Sequence, residues 1–266
     1  MADRNVTMPY NYPGFPVRKF VGNEKNYTCE DMQWGNPHEF TTRSNLWSAA
    51  SRGGSWVEVG AHIGTTTVLA AGFFSRGFAY EPSTENYNYL CRNLEMNSMK
   101  HVTAFHAAVS DKPGKQTLYL FPERDNACHS LCRNVVYNLH GSEEVEVKTL
   151  DGLDVNDCTY LHIDAEGNDV LVLSGGKNFL QKQTKKPIIS IEFAPRLWAT
   201  NGVDVQTFLN LANEFKYDLF IDAGNNHALM NGAILTEIFH TWKGRNYGWL
   251  DVFMIPQGEF GAMFPR

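Results

Sequence analysis

Two short stretches carry residues whose types and spacing can do chemistry together. The first is VEVGAHIGTTT, residues 57–67, in which Glu58 precedes two glycines, Gly60 and Gly64, and three threonines follow. The second is YLHIDAEGND, residues 160–169, in which His162, Asp164 and Glu166 recur at every other position. Glycines at a strand-to-helix junction let a ligand lie against the backbone, and the helix behind them presents unpaired N–H groups to it. The dinucleotide fingerprint G-x-G-x-x-G is not met, because its middle glycine is His62 here, which counts against NAD or FAD.

A different nucleotide fits. An acid two residues before the first glycine can hold the positive amino group of an amino acid, directly or through water. Glu81 follows Gly60 by 21 residues, close to the roughly 20 expected of a ribose-binding acid, and a carboxylate there disfavours a 2′-phosphate. A cationic amino acid joined to adenosine without phosphates is S-adenosylmethionine. Taken singly the signals are weak: G-x-x-x-G spacing also serves plain packing, and Glu81 alone reads equally as a turn acid. The ordered run of strand, acid, glycine pair, helix, strand and acid is what points to this ligand.

In the second stretch Asp164 ends a predicted strand, and Glu166 and Gly167 form the turn after it. Strand alternation sets His162, Asp164 and Glu166 on one side. A hydroxyl is a poor nucleophile until its proton leaves, so a carboxylate or imidazole beside it can act as general base. Asp164 is the first candidate, followed by Glu166 and His162. The structural alternatives are that Glu166 caps the turn amides and that His162 is a core histidine. Glu192 ends the predicted strand PIISIEF at the same rim, where it can bind acceptor hydroxyls or share a metal with Asp164. These acids are dispersed in sequence, and no metal centre is expected from them. Cys128, His129 and Cys132 lack a fourth ligand and zinc-site spacing. Trp198, Trp242, Tyr247 and Trp249 are aromatic faces of a kind that stacks on sugars or simply packs, and Arg245 is a candidate anion or glycan contact.

The elements that must hold these residues alternate. WVEVG, GFAYE, HVTAFHAAV, YLHID, PIISIEF, YDLFID and LDVFMIP read as strands, with helices in TTTVLAAGFF, in STENYNYLCRNLEMN behind a Ser83 N-cap, and in VDVQTFLNLANEFK. Such βαβ alternation predicts a mostly parallel sheet covered by helices on both faces. KQTLYLF and EVEVKTL read as a paired accessory insertion around a loop or lid. Residues 1–40, rich in Pro, Asn, Tyr and Gly, show no sustained period and read as an extended arm that packs on the main domain through aromatics such as Tyr10, Tyr12, Phe15, Phe20, Tyr27 and Trp34, or shapes an entrance. A short helix is expected over 42–51. The division is therefore an arm and helix, 1–55, and a catalytic domain, 56–266.

Composition narrows the class. The 266 residues are 43% hydrophobic and 20% charged, with a net charge of −6 and no basic block, so a long nucleic-acid footprint is not expected. Five dispersed cysteines without a C-x-x-C pair, and no hydrophobic leader, read as reduced thiols in a cytoplasmic setting. No apolar run reaches the ~20 residues that span a bilayer.

VEVGAHIGTTT, AYEPSTENYNYLCRNLEMN, HAAVSD, VKTLDGL and HIDAEGNDVLVLSGG together resemble the FkbM family of S-adenosylmethionine-dependent methyltransferases, in register over about residues 50–220. Glu58 stands where Asp is commoner, His62 where Asn is usual, and Asp169 where Glu is frequent. The resemblance implies the Rossmann-like class I methyltransferase fold, with a seven-stranded, mostly parallel sheet whose last two strands form an antiparallel edge. It implies O-methylation of a sugar, glycan or other sugar-containing molecule. It further implies donor contacts from Glu58, Gly60, Ala61, His62 and Gly64, ribose binding by Glu81, Ala107 and Ala108 beside the adenine, and Asp164 under the methyl group. The rival readings are a methyltransferase acting on RNA or protein and a non-catalytic subunit of a glycan-assembly complex. The absence of a proline pair after the Asp164 strand disfavours amine methylation, and intact Glu58, Glu81 and Asp164 disfavour loss of catalysis.

Overall fold

The apolar runs that end on acids and glycines build one wall of the molecule. The computed structural model describes residues 5–10, 18–33, 46, 49–133, 138–222, 227–245 and 248–263. Near the start, β1 (Asn5–Tyr10) pairs antiparallel with β2 (Arg18–Asn23), and α1 (Tyr27–Gln33) follows. The arm expected to lack a regular period is thus partly a hairpin, its alternation masked by polar residues and Pro9. Phe20 and Val21 are buried in an apolar cluster with Trp56, Leu90 and Tyr160. Tyr12, Phe15, Trp34 and Tyr247, together with most of the helix expected over 42–51, lie outside the described residues; Leu46, Ala49 and Ala50 are helical.

The first βαβ unit is β3 (Ser55–Val59), α2 (Thr65–Ala70) and β4 (Arg76–Glu81), and α3 (Thr84–Met96) leads to β5 (Val102–His106). Ser83 caps α3 as expected, its hydroxyl accepting the Asn86 N–H. The predicted third strand then divides. After Ala107 the chain leaves the central sheet, and β6 (Ala108–Val109) joins β7 (Gly114–Leu120) and β8 (Gly141–Lys148) in a separate three-stranded sheet. The accessory pair read from sequence is this β7–β8 ladder, and a 3-10 segment, Glu123–Cys128, follows β7.

The chain returns through β9 (Cys158–Ile163), α4 (Asp169–Ser174), α5 (Lys177–Lys182), β10 (Ile188–Phe193), α6 (Pro195–Thr200) and α7 (Val205–Glu214). It closes with β11 (Tyr217–Asp222), β12 (His227–Met230), α8 (Gly232–Trp242), β13 (Leu250–Pro256) and α9 (Phe260–Met263). The central sheet runs β12-β11-β13-β10-β9-β3-β4-β5, with β10, β9, β3, β4 and β5 mutually parallel and β13 antiparallel to both of its neighbours. It has eight strands rather than the seven expected. The extra one, β12, is a four-residue edge segment too short to show a period, with Leu229 largely exposed. Strands β3 and β9 are buried along their whole length, as parallel strands covered on both faces must be. The Rossmann-like α/β order therefore matches expectation in its parallel half and in the β11–β13 antiparallel pairing.

Asn93, on α3, ties three parts of this wall together. Its Oδ1 accepts the Val21 N–H at 2.7 Å, and its Nδ2 donates to Val21 O at 3.0 Å and to Ile63 O at 2.7 Å, all buried. It joins the N-terminal hairpin and the loop after β3 to one helix. Asn93→Leu leaves the shape nearly unchanged but strands those backbone groups, each costing about 1–3 kcal/mol. Urea unfolding should show a total loss of about 2–5 kcal/mol, and a loss below 1 kcal/mol would mean that water takes over the bonds.

Candidate active site

The carboxyl ends of β3, β4, β9 and β10 meet at one rim of the sheet, and a cavity of about 690 Å³ opens there. Both chemical stretches of the sequence line it: Glu58, Gly60, Ala61, His62 and Thr65 from the first, and His162, Asp164, Ala165, Glu166 and Asn168 from the second. Glu81, Ala107, Ala108 and Glu192 line it as well. Of the residues singled out for the site, Gly64 alone is not on the cavity wall. It is the left-handed N-cap of α2 (φ +92°), where a side chain would strike Leu90.

The first turn is held by backbone. Gly60 has φ +83°, and a Cβ there would run into the Asp164 carbonyl oxygen. The Gly60 and Ala61 N–H groups both donate to Tyr80 O, at 2.9 and 3.0 Å, which joins the end of β3 to the end of β4. His62 adopts a left-handed φ of +51°, and its N–H donates to Glu81 Oε2 at 2.8 Å. Its ring turns away: Nε2 lies 2.9 Å from Asn126 Oδ1, in the insertion.

Glu81 is 4% exposed. Ser83 N–H also donates to it, at 2.9 Å on Oε1, so each oxygen accepts one backbone N–H. Burial pushes the carboxyl up to about 7, against the pull of the backbone bonds from Ser83 and His62 and the side chain of Asn86; Glu143 adds to the rise. Glu58 is 1% exposed, its Oε2 accepting from Thr67 Oγ1 at 2.7 Å and its Oε1 lying 3.6 Å from His162 Nδ1. Glu58 and His162 are register partners on β3 and β9, which sets them side by side under the cavity floor.

In the second turn the structural alternative for Glu166 does not hold: Asp169 caps the turn amides. Its buried carboxylate accepts the Ala165 N–H at 2.7 Å, the Gly167 N–H at 3.1 Å and the Trp198 indole N–H at 3.1 Å. Burial raises it to about 6 despite those donors. Glu166 is left with φ +49° and lines the cavity, where burial first and then Asp164 and Asp169 hold its carboxyl well above the usual range. Glu192 is raised likewise, by burial and by Asp164, Glu166, Asp169 and Asp251. The acids that are scattered in sequence converge here: oxygens of Asp164, Glu166 and Glu192 lie within 4.8 Å of one another. This overturns the premise on which no metal centre was expected. Cys128, His129 and Cys132 form no such group among the described residues. His129 Nδ1 accepts the Phe121 N–H, and burial lowers that ring to about 4.

Sequence reading passed over Asn126, Asp251 and Arg124, and noted Tyr27 only among the aromatics of the arm. Asn126 is buried, accepts from Asn26 and from His62 when its Nε2 carries the proton, and offers its carbonyl to Asn86 Nδ2 at 3.0 Å. Asp251 is opposite Glu192 in the β10–β13 register, a pairing visible only once β13 is known to lie beside β10. Tyr27 and Arg124 reach the cavity from α1 and the insertion. Trp249, noted but unassigned, stands at the rim 64% exposed, whereas Trp198 is core. No described contact assigns a role to Trp242 or Arg245.

A family model of the FkbM methyltransferase domain matches residues 58–219. No curated protein matches the chain. Among solved structures, the chain is similar to an FkbM methyltransferase from Methylobacillus flagellatus, at 15% identity and a TM-score of 0.45, over 77% of this chain and 44% of that one. It thus spans less than half the length of that protein. It is also similar to M. jannaschii TYW2, solved in complex with AdoMet, at 11% identity and a TM-score of 0.46, over 96% and 86% of the two chains. A precorrin-6y C5,15-methyltransferase from Geobacter metallireducens matches at 11% identity and a TM-score of 0.42, over 80% and 88%.

The raised Glu81 carboxyl makes stability depend on pH. Between about 4.5, its ordinary value, and about 7 the folded chain keeps a proton that the unfolded chain releases. Stability from this group is therefore complete below that window and lost as pH rises through it, by about 3 kcal/mol in all. Wild type and Glu81→Gln should differ in the pH dependence of their urea midpoints. From pH 5 to pH 8 wild type should lose about 2–3 kcal/mol relative to the variant, and parallel curves would show that the carboxyl titrates normally.

Proposed function

The chain belongs to the FkbM methyltransferase family, and from that premise we propose that it transfers a methyl group from S-adenosylmethionine to a hydroxyl of a sugar or sugar-containing small molecule. The observation that carries this reading is the single cavity lined at once by the glycine turn, Glu81 and the carboxylates of Asp164, Glu166 and Glu192.

The residues present suit the donor. Glu81 lines the cavity with its carboxylate steadied by backbone N–H groups and is the acceptor for ribose hydroxyls, and Ala107, Ala108 and Leu118 offer an apolar wall to an adenine ring. Glu58 and Asp164 supply negative charge for the ammonium and sulfonium. When bound, S-adenosylmethionine supplies an electrophilic methyl group. The chain's own work is then to align an acceptor oxygen with that methyl and to take its proton. Asp164 is the base, because it ends β9 at the cavity wall and its backbone is anchored by a 3.0 Å bond from its N–H to Val59 O. Glu166 and Glu192 accept bonds from neighbouring hydroxyls of the acceptor. Asp169 and Trp198 act by holding the turn that aims Glu166.

The charge of the wall bears on the acceptor. Asp164, Glu166, Glu192 and Asp251 repel a phosphate-bearing substrate and accept hydroxyl protons well, and Trp249 presents an exposed aromatic face at the rim. This favours a neutral, hydroxyl-rich acceptor over RNA. Among the described residues no helix is long and apolar enough to cross a membrane. The five cysteines are unpaired, which supports a reducing, cytoplasmic setting.

Calorimetry with S-adenosylhomocysteine tests the donor site. Wild type should bind with micromolar affinity, Glu81→Ala should weaken binding at least 10-fold, and NAD⁺ should give no heat; silence from wild type would end the methyltransferase reading. For the acceptor half, Asp164→Asn should lower kcat by roughly 10²–10⁴-fold, the usual worth of general-base catalysis. Its S-adenosylhomocysteine affinity should stay within threefold of wild type, and unchanged kcat would remove Asp164 as base.

A further inference from the structure

Three carboxylates crowd the acceptor end of the cavity. Asp164 comes from the end of β9, Glu166 from the turn after it and Glu192 from β10, and one oxygen of each lies within 4.8 Å of the others. Among the described residues neither Glu166 nor Glu192 forms an ion pair with a lysine or arginine. Arg124, which also lines the cavity, is turned toward Glu30, at 3.4 Å, and the Tyr27 ring. A second observation is independent of the clustering: Glu192 Oε2 is closed off from solvent and meets no hydrogen-bond donor. Buried polar groups are nearly always hydrogen-bonded, and a buried carboxylate oxygen without a donor is one that a bound water or ion completes.

From this geometry we propose that Asp164, Glu166 and Glu192 form a site for a hard divalent cation of the Mg²⁺, Mn²⁺ or Ca²⁺ class. Such ions take oxygen ligands at about 2.0–2.6 Å, so oxygens up to roughly 4–5 Å apart can share one ion. A proton bridges only two oxygens, whereas one ion can contact all three groups together and offset most of their charge. The frame is pre-set. Asp169 and the Trp198 indole lock the turn that carries Glu166, the backbone of Asp164 is bonded to β3, and Glu192 sits within the sheet. One side of the cluster faces the cavity, leaving coordination positions for the acceptor. Combined with the methyl-transfer reading, on which this last step alone rests, the acceptor class is a polyol whose hydroxyl binds the ion. The O–H bond breaks with its proton passing to a carboxylate oxygen, and the O–CH₃ bond forms as the S–CH₃ bond breaks. An ion-bound hydroxyl loses its proton more readily than a free one.

The test uses the full chain, stripped with EDTA and titrated with MnCl₂ alone, free Mn²⁺ being read by electron paramagnetic resonance. Wild type should bind one Mn²⁺ per chain with a submillimolar Kd. Glu192→Gln and Glu166→Gln should each weaken binding at least 10-fold; both keep size and relieve repulsion, so they fold, as circular dichroism verifies. Less than half an equivalent bound at 1 mM Mn²⁺, or unchanged affinity in both variants, would overturn the site. S-adenosylhomocysteine calorimetry separates the two readings. If it fails while Mn²⁺ binding persists, only the methyltransferase assignment falls; methyl transfer in EDTA by a chain that binds no Mn²⁺ removes only the cation.

Discussion

At Gly60 the chain turns with φ +83°, and the Asp164 carbonyl oxygen lies so close to its α carbon that a side chain of any size would collide with it. The same few ångströms hold the Asp164 N–H bond to Val59 O and the Gly60 and Ala61 bonds to Tyr80 O. Three parallel strands are thereby joined at their carboxyl ends through backbone alone. Glu81 sits one residue beyond the carbonyl at one side, and the carboxylate of Asp164 lies at the other. The distance between the two halves of the site depends on no flexible side chain. A turn built this way accepts a ligand without reorganising, which is what alignment-driven catalysis requires.

That junction was largely legible in the sequence. A strand that ends in glycine before a helix, and a strand that ends in an acid, are local patterns, and parallel topology carries such ends to the same rim. The placement of Glu58, Ala61, His62, Glu81, Ala107, Ala108, Asp164, Glu166 and Glu192 around one cavity followed from it. What stayed illegible was lateral. Whether Asp251 faces Glu192 depends on β13 inserting antiparallel between β10 and β11, and nothing local to LDVFMIP records its neighbours. That Asp169 is the turn cap went unread for a related reason. Both acids are within reach of the same amides, and only the left-handed conformation of Glu166 decides that Asp169 turns inward to cap them. The edge strand β12 and the hairpin of β1 and β2 escaped because pairing, not period, defines them.

The insertion shows how a residue without a motif becomes central. Asn126 lies in an irregular loop whose composition says little. Yet it meets His62 on the glycine turn, Asn86 on α3 and Asn26 before α1, so one amide ties the loop to the cavity's lip. His62, which departs from the usual asparagine of the family turn, has its ring spent on this link. Its backbone N–H still serves Glu81. The departure therefore leaves the donor side of the turn intact and changes how the cavity is roofed.

The acids of this chain divide into two kinds by how their charge is met. Glu58, Glu81 and Asp169 are buried but receive donors from the chain itself: a threonine hydroxyl for Glu58, two backbone N–H groups for Glu81, and two N–H groups and an indole for Asp169. Each is met at least in part within the fold, and each steadies an element that shapes the cavity. Glu192 is the opposite case, with an oxygen enclosed and undonated, beside other carboxylates that oppose its ionisation rather than support it. Enclosed groups of this second kind weaken a fold when nothing answers them. Glu192 therefore sets the unmet electrostatic demand of the cavity at the end of β10, beside Asp164 and Glu166.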